Sequence, residues 1–172
     1  MRPLAVRQSA RLVARHLSRY IAGNPNIIVQ NNGFLGVQNV NPTATLDVTG
    51  TASVIDADTL DIHSQRFRLV GVDAPESKQK CLDAKGELYR CGAAAANALS
   101  DWINRNPVTC VSEGHDRYNR TLGKCTVRGA SVQDWLVRNG HAVAYRAYSK
   151  EFVPAEEAAH AAKTGIWAGE FV

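Results

Sequence analysis

Phe67-Arg68-Leu69-Val70-Gly71-Val72-Asp73-Ala74-Pro75-Glu76 sets an arginine on a short apolar run and two carboxylates in the turn behind it. Just upstream, Asp56-Ala57-Asp58-Thr59-Leu60 adds two more carboxylates. Acids crowded at strand ends repel one another and need a cation, a proton or an arginine close by. A hard divalent metal bound through oxygen meets that need. Further along, Asp116-Arg117-Tyr118-Asn119-Arg120-Thr121-Leu122 brings a second arginine on an expected hairpin loop. Two arginines, a metal-capable acid pair and a spare glutamate are the parts from which phosphodiester hydrolysis can be built.

The pattern around this stretch is that of a mixed domain. Ser53–Ile55, Thr59–Ile62 and Phe67–Val72 read as three strands separated by turn-length gaps. Ala84–Asn104 reads as an alanine-rich helix, with Leu88, Ala95, Leu99, Trp102 and Ile103 as its buried side and Pro107 as its stop. Val108–Val111 and Leu122–Val127 form a hairpin. Ser131 caps a helix that runs through Val137, and Gly140 follows where a helix end favours φ > 0. A last helix starts at Glu151 or Pro154, runs to Lys163 and ends at Gly165, with Trp167 packing after it. Strands, helix, hairpin and two helices make an α+β domain with five strands.

Residues 1–50 differ from the rest. They hold five arginines and one acid, Asp47, so the formal charge of +4 lies entirely there, while residues 51–172 have fifteen basic and fifteen acidic groups. Any attraction of that domain for nucleic acid must therefore come from local patches and a bound metal. Residues 1–22 read as a basic amphipathic helix, with Val6, Ala10, Val13, Leu17 and Tyr20 at helical spacing. Such a segment suits a transit peptide, a membrane-surface or nucleic-acid-binding helix, or a leader without a function of its own. Residues 23–50 read as an Asn/Gly/Thr-rich linker with short strands at Ile27-Ile28-Val29 and Leu46-Asp47-Val48. No stretch is long and apolar enough to span a membrane, so no stable membrane insertion is expected.

Five runs stand in order along the chain: DADTL (56–60), FRLVGVDAPE (67–76), DRYNRTLGKC (116–125), QDWLVRNGHAVAYRAYS (133–149) and KTGIWAGEF (163–171). Together they make the region from about Val54 to Trp167 resemble a thermonuclease of the staphylococcal nuclease family. The resemblance implies an OB-type five-stranded β-barrel with three helices, here as residues 51–172 behind an N-terminal extension of residues 1–50. It implies a calcium-dependent nuclease that hydrolyses DNA and RNA without sugar specificity and leaves 3′-phosphates. Asp58, Asp73 and the carbonyl of Ala74 match the family's metal ligands, with Asp56 as an outer-sphere acid. Arg68 and Arg120 match its phosphate-clamping arginines, and Glu76 matches the glutamate that orients or deprotonates the attacking water.

Tyr118 and Tyr148 match residues beside the terminal phosphate and the base, and Arg117 takes the place of a lysine; each tyrosine could equally fill the barrel mouth. Two positions depart from the family. Asn119 replaces the glycine of DRYGR, a turn asparagine can still make. Ala57 replaces the glycine of DGDT, where a side chain would strain the loop that aims Asp58.

Two other readings stay open. One is an OB-fold module that binds nucleic acid without cutting it. The other is a passenger domain of a phage or surface-appendage protein, because GFLGVQNVNPTATLDVTGTA (33–52) resembles a segment of phage tail fibres. The domain itself is expected to be monomeric, with residues 23–50 as the segment through which an oligomer would form.

Cys81, Cys91, Cys110 and Cys125 lack the paired spacing of a zinc site. They read as two disulfides with three connectivities, of which Cys81–Cys91 and Cys110–Cys125 are favoured, against the alternative of four buried thiols. Disulfides imply an oxidising compartment, secreted or periplasmic. Arginines at 7, 11, 15 and 19 interrupt every candidate export signal, and the cysteines are given precedence.

Overall fold

The computed structural model describes residues 27–29, 35–37 and 47–169. The basic helix expected over residues 1–22 lies outside them. The chain divides into two units, Met1–Ala44 and Thr45–Val172. In the first, β1 (Ile27–Val29) pairs antiparallel with β2 (Leu35–Val37).

The second unit is α+β. Its main sheet is built from β3 (Asp47–Gly50), β4 (Ala52–Asp56), β5 (Thr59–Ile62) and β6 (Gln65–Leu69). Short pairs follow: β7 (Val72–Asp73), then β8 (Cys81–Leu82) with β9 (Leu88–Tyr89). After helix α1 (Cys91–Ile103) come β10 (Val108–His115), β11 (Thr121–Val127) and β12 (Ala130–Ser131). Helix α2 (Val132–Arg138), β13 (Val143–Ala144), helix α3 (Val153–Ala161) and a 3-10 turn at Gly165–Ala168 complete it. The sheet runs β3-β10-β11-β6-β5-β4, with β12 on β11.

All five expected strands lie in this sheet, which also takes in β3 and β12. Phe67, Leu60, Ile62, Leu69, Leu99 and Leu136 are fully buried between sheet and helices. Burying each such side chain contributes about 1.5–3 kcal/mol. One pairing matters most for the site. β6 and β11 run parallel, with Leu122 opposite Arg68 and Gly123 opposite Leu69.

Three expectations need correction. The third strand stops at Leu69, because Gly71 takes φ +76, a left-handed conformation suited to glycine, and turns the chain. Val72–Asp73 then pairs with β13 instead. The first helix begins at Cys91 rather than Ala84. The Asp83 carboxylate accepts hydrogen bonds from the amides of Lys85 and Glu87 (2.8 and 2.9 Å) and closes the β8–β9 turn. Leu88 therefore sits on that hairpin, 64% exposed, rather than on the buried helix face. Ala57 is fully buried and its φ is not positive, so the side chain packs into the core without backbone strain.

Ser131 caps α2 by accepting a hydrogen bond from the Asp134 amide (3.2 Å), and Gly140 has φ +64, both as expected. The disulfides are Cys81–Cys91 and Cys110–Cys125. The second joins residues directly opposite each other in the β10–β11 ladder. Its loss is expected to remove about 3 kcal/mol and lower the melting temperature by roughly 10 °C. Thermal melts with and without a dithiol, and non-reducing peptide mapping for the two linked pairs, check this. Four alkylatable thiols in the freshly isolated native protein would refute it.

Candidate active site

The turn between β4 and β5 puts Asp58 at the edge of the core, 4% exposed. Thr59 stands opposite Arg68 in the β5–β6 ladder. Asp58 thus comes beside the arginine, whose guanidinium nitrogen Nη2 forms an ion pair with Asp58 Oδ2 at 2.9 Å and donates a hydrogen bond to Asp73 Oδ1 at 3.0 Å. Burial pushes the Asp58 carboxyl above its ordinary value, and the Arg68 charge, the Thr59 hydroxyl and the Ala74 backbone oppose that push.

Two carboxylates, one from the β4–β5 turn and one from β7, therefore converge on one positive group. Arg68 supplies the positive charge that the two acids share, and carboxylate oxygens are also the donor type that a hard divalent cation takes. Among the described residues no three His, Cys, Asp or Glu side chains gather around one point. Any ion held here would therefore meet two side-chain carboxylates from the described residues and would need its remaining oxygens from backbone, water or phosphate.

Glu76 follows the buried Pro75 and is exposed. Its amide donates to Gln79 Oε1 (3.2 Å) and its carbonyl accepts from the Gln79 amide (2.7 Å). The Glu76 carboxylate has no partner among the described residues. Asp56 is not tied to the acid pair or to Arg68; its carboxylate accepts from the Ser77 hydroxyl, next to Glu76.

The second arginine is aimed by its own loop. Asp116 Oδ1 accepts from the amides of Tyr118 and Arg120, both at 2.9 Å, and Oδ2 accepts from Arg120 Nε at 2.6 Å. Desolvation would raise the Asp116 carboxyl, but these bonds from Arg120 and Tyr118 outweigh it and hold the group below the ordinary aspartate value. Asn119 sits at φ +61, so asparagine does make the turn. The two Arg120 Nη groups make no hydrogen bond or ion pair among the described residues and could donate to an anion. The Arg117 and Arg120 guanidiniums lie 4.7 and 5.5 Å from the Tyr118 ring centre, the range of cation–π attraction.

These elements line one open cleft of about 540 Å³, which includes Arg68, Asp73, Arg117, Tyr118, Arg120 and Tyr148. Asp56, Asp58, Ala74 and Glu76 do not line it, and Asp58 is connected to it through Arg68. Tyr118 and Tyr148 are 66% and 50% exposed, so they flank the cleft rather than fill the core. Sequence reading gave no role to Asp116, although an aspartate two residues before a turn tyrosine is a loop-closing signal. It also passed over Tyr145, 51% exposed on the cleft wall, for which no local signal exists. The Tyr148 hydroxyl lies 3.4 Å from Glu113, which is also paired with Lys124.

The family model described as staphylococcal nuclease homologue matches residues 66–169. A succinoglycan biosynthesis protein, ExoI, of Rhizobium meliloti (strain 1021) is 41% identical over 123 residues, covering 70% of this chain and 64% of that protein. An uncharacterized endonuclease of Haemophilus influenzae is 31% identical over 122 residues, covering 67% and 63%. The probable staphylococcal-like nuclease CAN3 of Oryza sativa subsp. japonica is 31% identical over 105 residues, covering 60% and 25%. The chain spans less than two thirds of the length of these curated relatives. The family match opens after Asp56 and Asp58 and leaves out β3–β5, but it contains Arg68, Asp73, Glu76 and the arginine-bearing hairpin. On that match the chain belongs to the staphylococcal nuclease family.

Proposed function

We propose that the protein is a calcium-dependent nuclease that hydrolyses phosphodiesters of DNA and RNA and leaves 3′-phosphates. The observation that carries this reading is the convergence on one cleft of Arg68, tied to the acid pair, and Arg120, aimed by Asp116. Asp58, Asp73 and the Ala74 carbonyl would hold the ion, with Asp56 in its outer sphere. When bound, calcium supplies positive charge beside the scissile phosphate.

The chain's own groups do the rest. Glu76 takes a proton from a water as its oxygen bonds to phosphorus in line with the leaving group. The P–O5′ bond breaks, the departing oxygen collects a proton to become a 5′-hydroxyl, and the phosphate stays on the 3′ side. Arg68 and Arg120 meet the charge gathering on the equatorial oxygens, with two donors each in a plane. Arg117 draws in the phosphate backbone, and Tyr118 and Tyr148 offer aromatic faces to bases without choosing among them.

Two further points belong to this reading. β3 and β4, at opposite ends of the sheet path, are separated in the chain by Thr51 alone. That continuity supports an OB-type barrel of five principal strands over residues 51–172, although β3 already belongs to its sheet. The two disulfides support an oxidising, non-cytoplasmic location, secreted or periplasmic. Among the described residues no helix is long and apolar enough to cross a membrane.

Digestion of a single-stranded DNA tests the proposal. Cleavage is expected with calcium, should vanish with a chelator and should return when calcium is restored. Full activity in excess chelator removes the calcium assignment, whereas binding without cleavage under every condition removes the enzyme.

A further inference from the structure

Nothing holds the Glu76 carboxylate directly, so its aim is set through the backbone of its turn. Two neighbours fix that backbone. Gln79 pairs with it twice: its side-chain Oε1 accepts from the Glu76 N–H, and its backbone N–H donates to the Glu76 carbonyl. On the other side lies Gly92, the second residue of α1. A Cβ there would overlap the Glu76 carbonyl and stand 2.8 Å from the Pro75 carbonyl oxygen.

Gly92 does not have a positive φ, so its torsion does not call for glycine. Inside a helix alanine is the better residue. What glycine supplies here is room for the catalytic turn to rest on the helix. The helix cannot easily back away: Cys91 is 2% exposed and bonded to Cys81, and the next turns of α1 bury Ala95 and Leu99 in the core. An added methyl must therefore be absorbed by the Pro75–Glu76 segment.

We propose that Gly92 and Gln79 are positioning residues for Glu76: glycine makes the seat and glutamine pins the turn to it. The inference rests on the assignment of Glu76 as the base. It gives α1, which contributes no side chain to the cleft lining, a part in aiming the proton acceptor. The same contact explains why a glycine stands where a helix would otherwise favour almost any other residue.

Steady-state kinetics on one short oligonucleotide with calcium would compare Glu76→Gln, Gly92→Ala, Gln79→Ala and the two double variants that include Glu76→Gln. Gly92→Ala is expected to lower kcat by about tenfold or more through misplacement. Gln79→Ala is expected to lower it by about threefold through loss of one hydrogen bond. KM and calcium affinity by calorimetry should stay within about twofold, since substrate and ion binding are untouched. In the Glu76→Gln background neither change should lower kcat further, which a general loss of structure would not produce.

Parental kcat in both single variants, or losses that multiply with that of Glu76→Gln, overturns the inference alone. Should Gly92→Ala not fold by circular dichroism, Gln79→Ala decides, because its exposed side chain lies outside the helix packing. Wild-type turnover in Glu76→Gln removes the base assignment and this inference with it.

Discussion

Glu76→Gln is expected to lower turnover by about 10²–10⁴-fold, the usual contribution of a positioned general base. The amide matches the carboxylate in shape but cannot take a proton from water. Because the Glu76 carboxylate is exposed and without a partner among the described residues, the change breaks no bond that supports the fold. Melting temperature, calcium affinity and oligonucleotide affinity should stay close to the parent. The loss should therefore appear in kcat and in kcat/KM together, as for a group that acts in the transition state. Single-turnover rates at saturating calcium give the measurement. Near-parental turnover would show that a group other than Glu76 accepts the proton.

Arg120→Ala is expected to lower kcat by about 10²–10³-fold, the range seen when one preorganised donor to developing charge is removed. The structure gives a reason for preorganisation. Asp116 binds Nε of Arg120 and leaves the Nη edge to the cleft, so little side-chain ordering remains when charge develops. Arg117→Ala should behave differently. Arg117 has no carboxylate to aim it among the described residues and lies over the Tyr118 ring at the cleft edge. Its loss should raise KM, leave kcat near the parent and reduce the slope of log affinity against log salt by about one. Equal effects of the two variants on kcat would place both arginines in the same role and contradict the loop geometry.

Much of this was open to sequence reading because it rests on chemistry near in the chain. Asn119 tolerates a left-handed turn, Ser131 caps a helix and Gly140 ends one, all through contacts within a few residues. The strand cores at Thr59–Ile62 and Phe67–Leu69 follow from alternation alone. The same locality misled at Ala84, where alanine-rich periodicity downstream suggested helix. There, the Asp83 side chain binding the amides of Lys85 and Glu87 formed a hairpin instead. Ala57 looked like a source of strain only because its neighbours in the core were not visible.

By itself the sequence determined the inventory: the acids, the two arginines, the glutamate behind Pro75 and the four cysteines, in an order that resembles a nuclease. Tertiary structure decided which of them meet. Parallel pairing of β6 with β11 sets Leu122 beside Arg68 and so brings the Arg120 loop to the acid pair. That register is not written in either strand, since the pattern of each fixes only which face is buried. Burial of Phe67 and Leu69 against the rest of the core selects one alignment of the two strands. The seat of Glu76 on Gly92 has the same origin, because close packing of a distant helix, with no local rule behind it, makes a glycine necessary there.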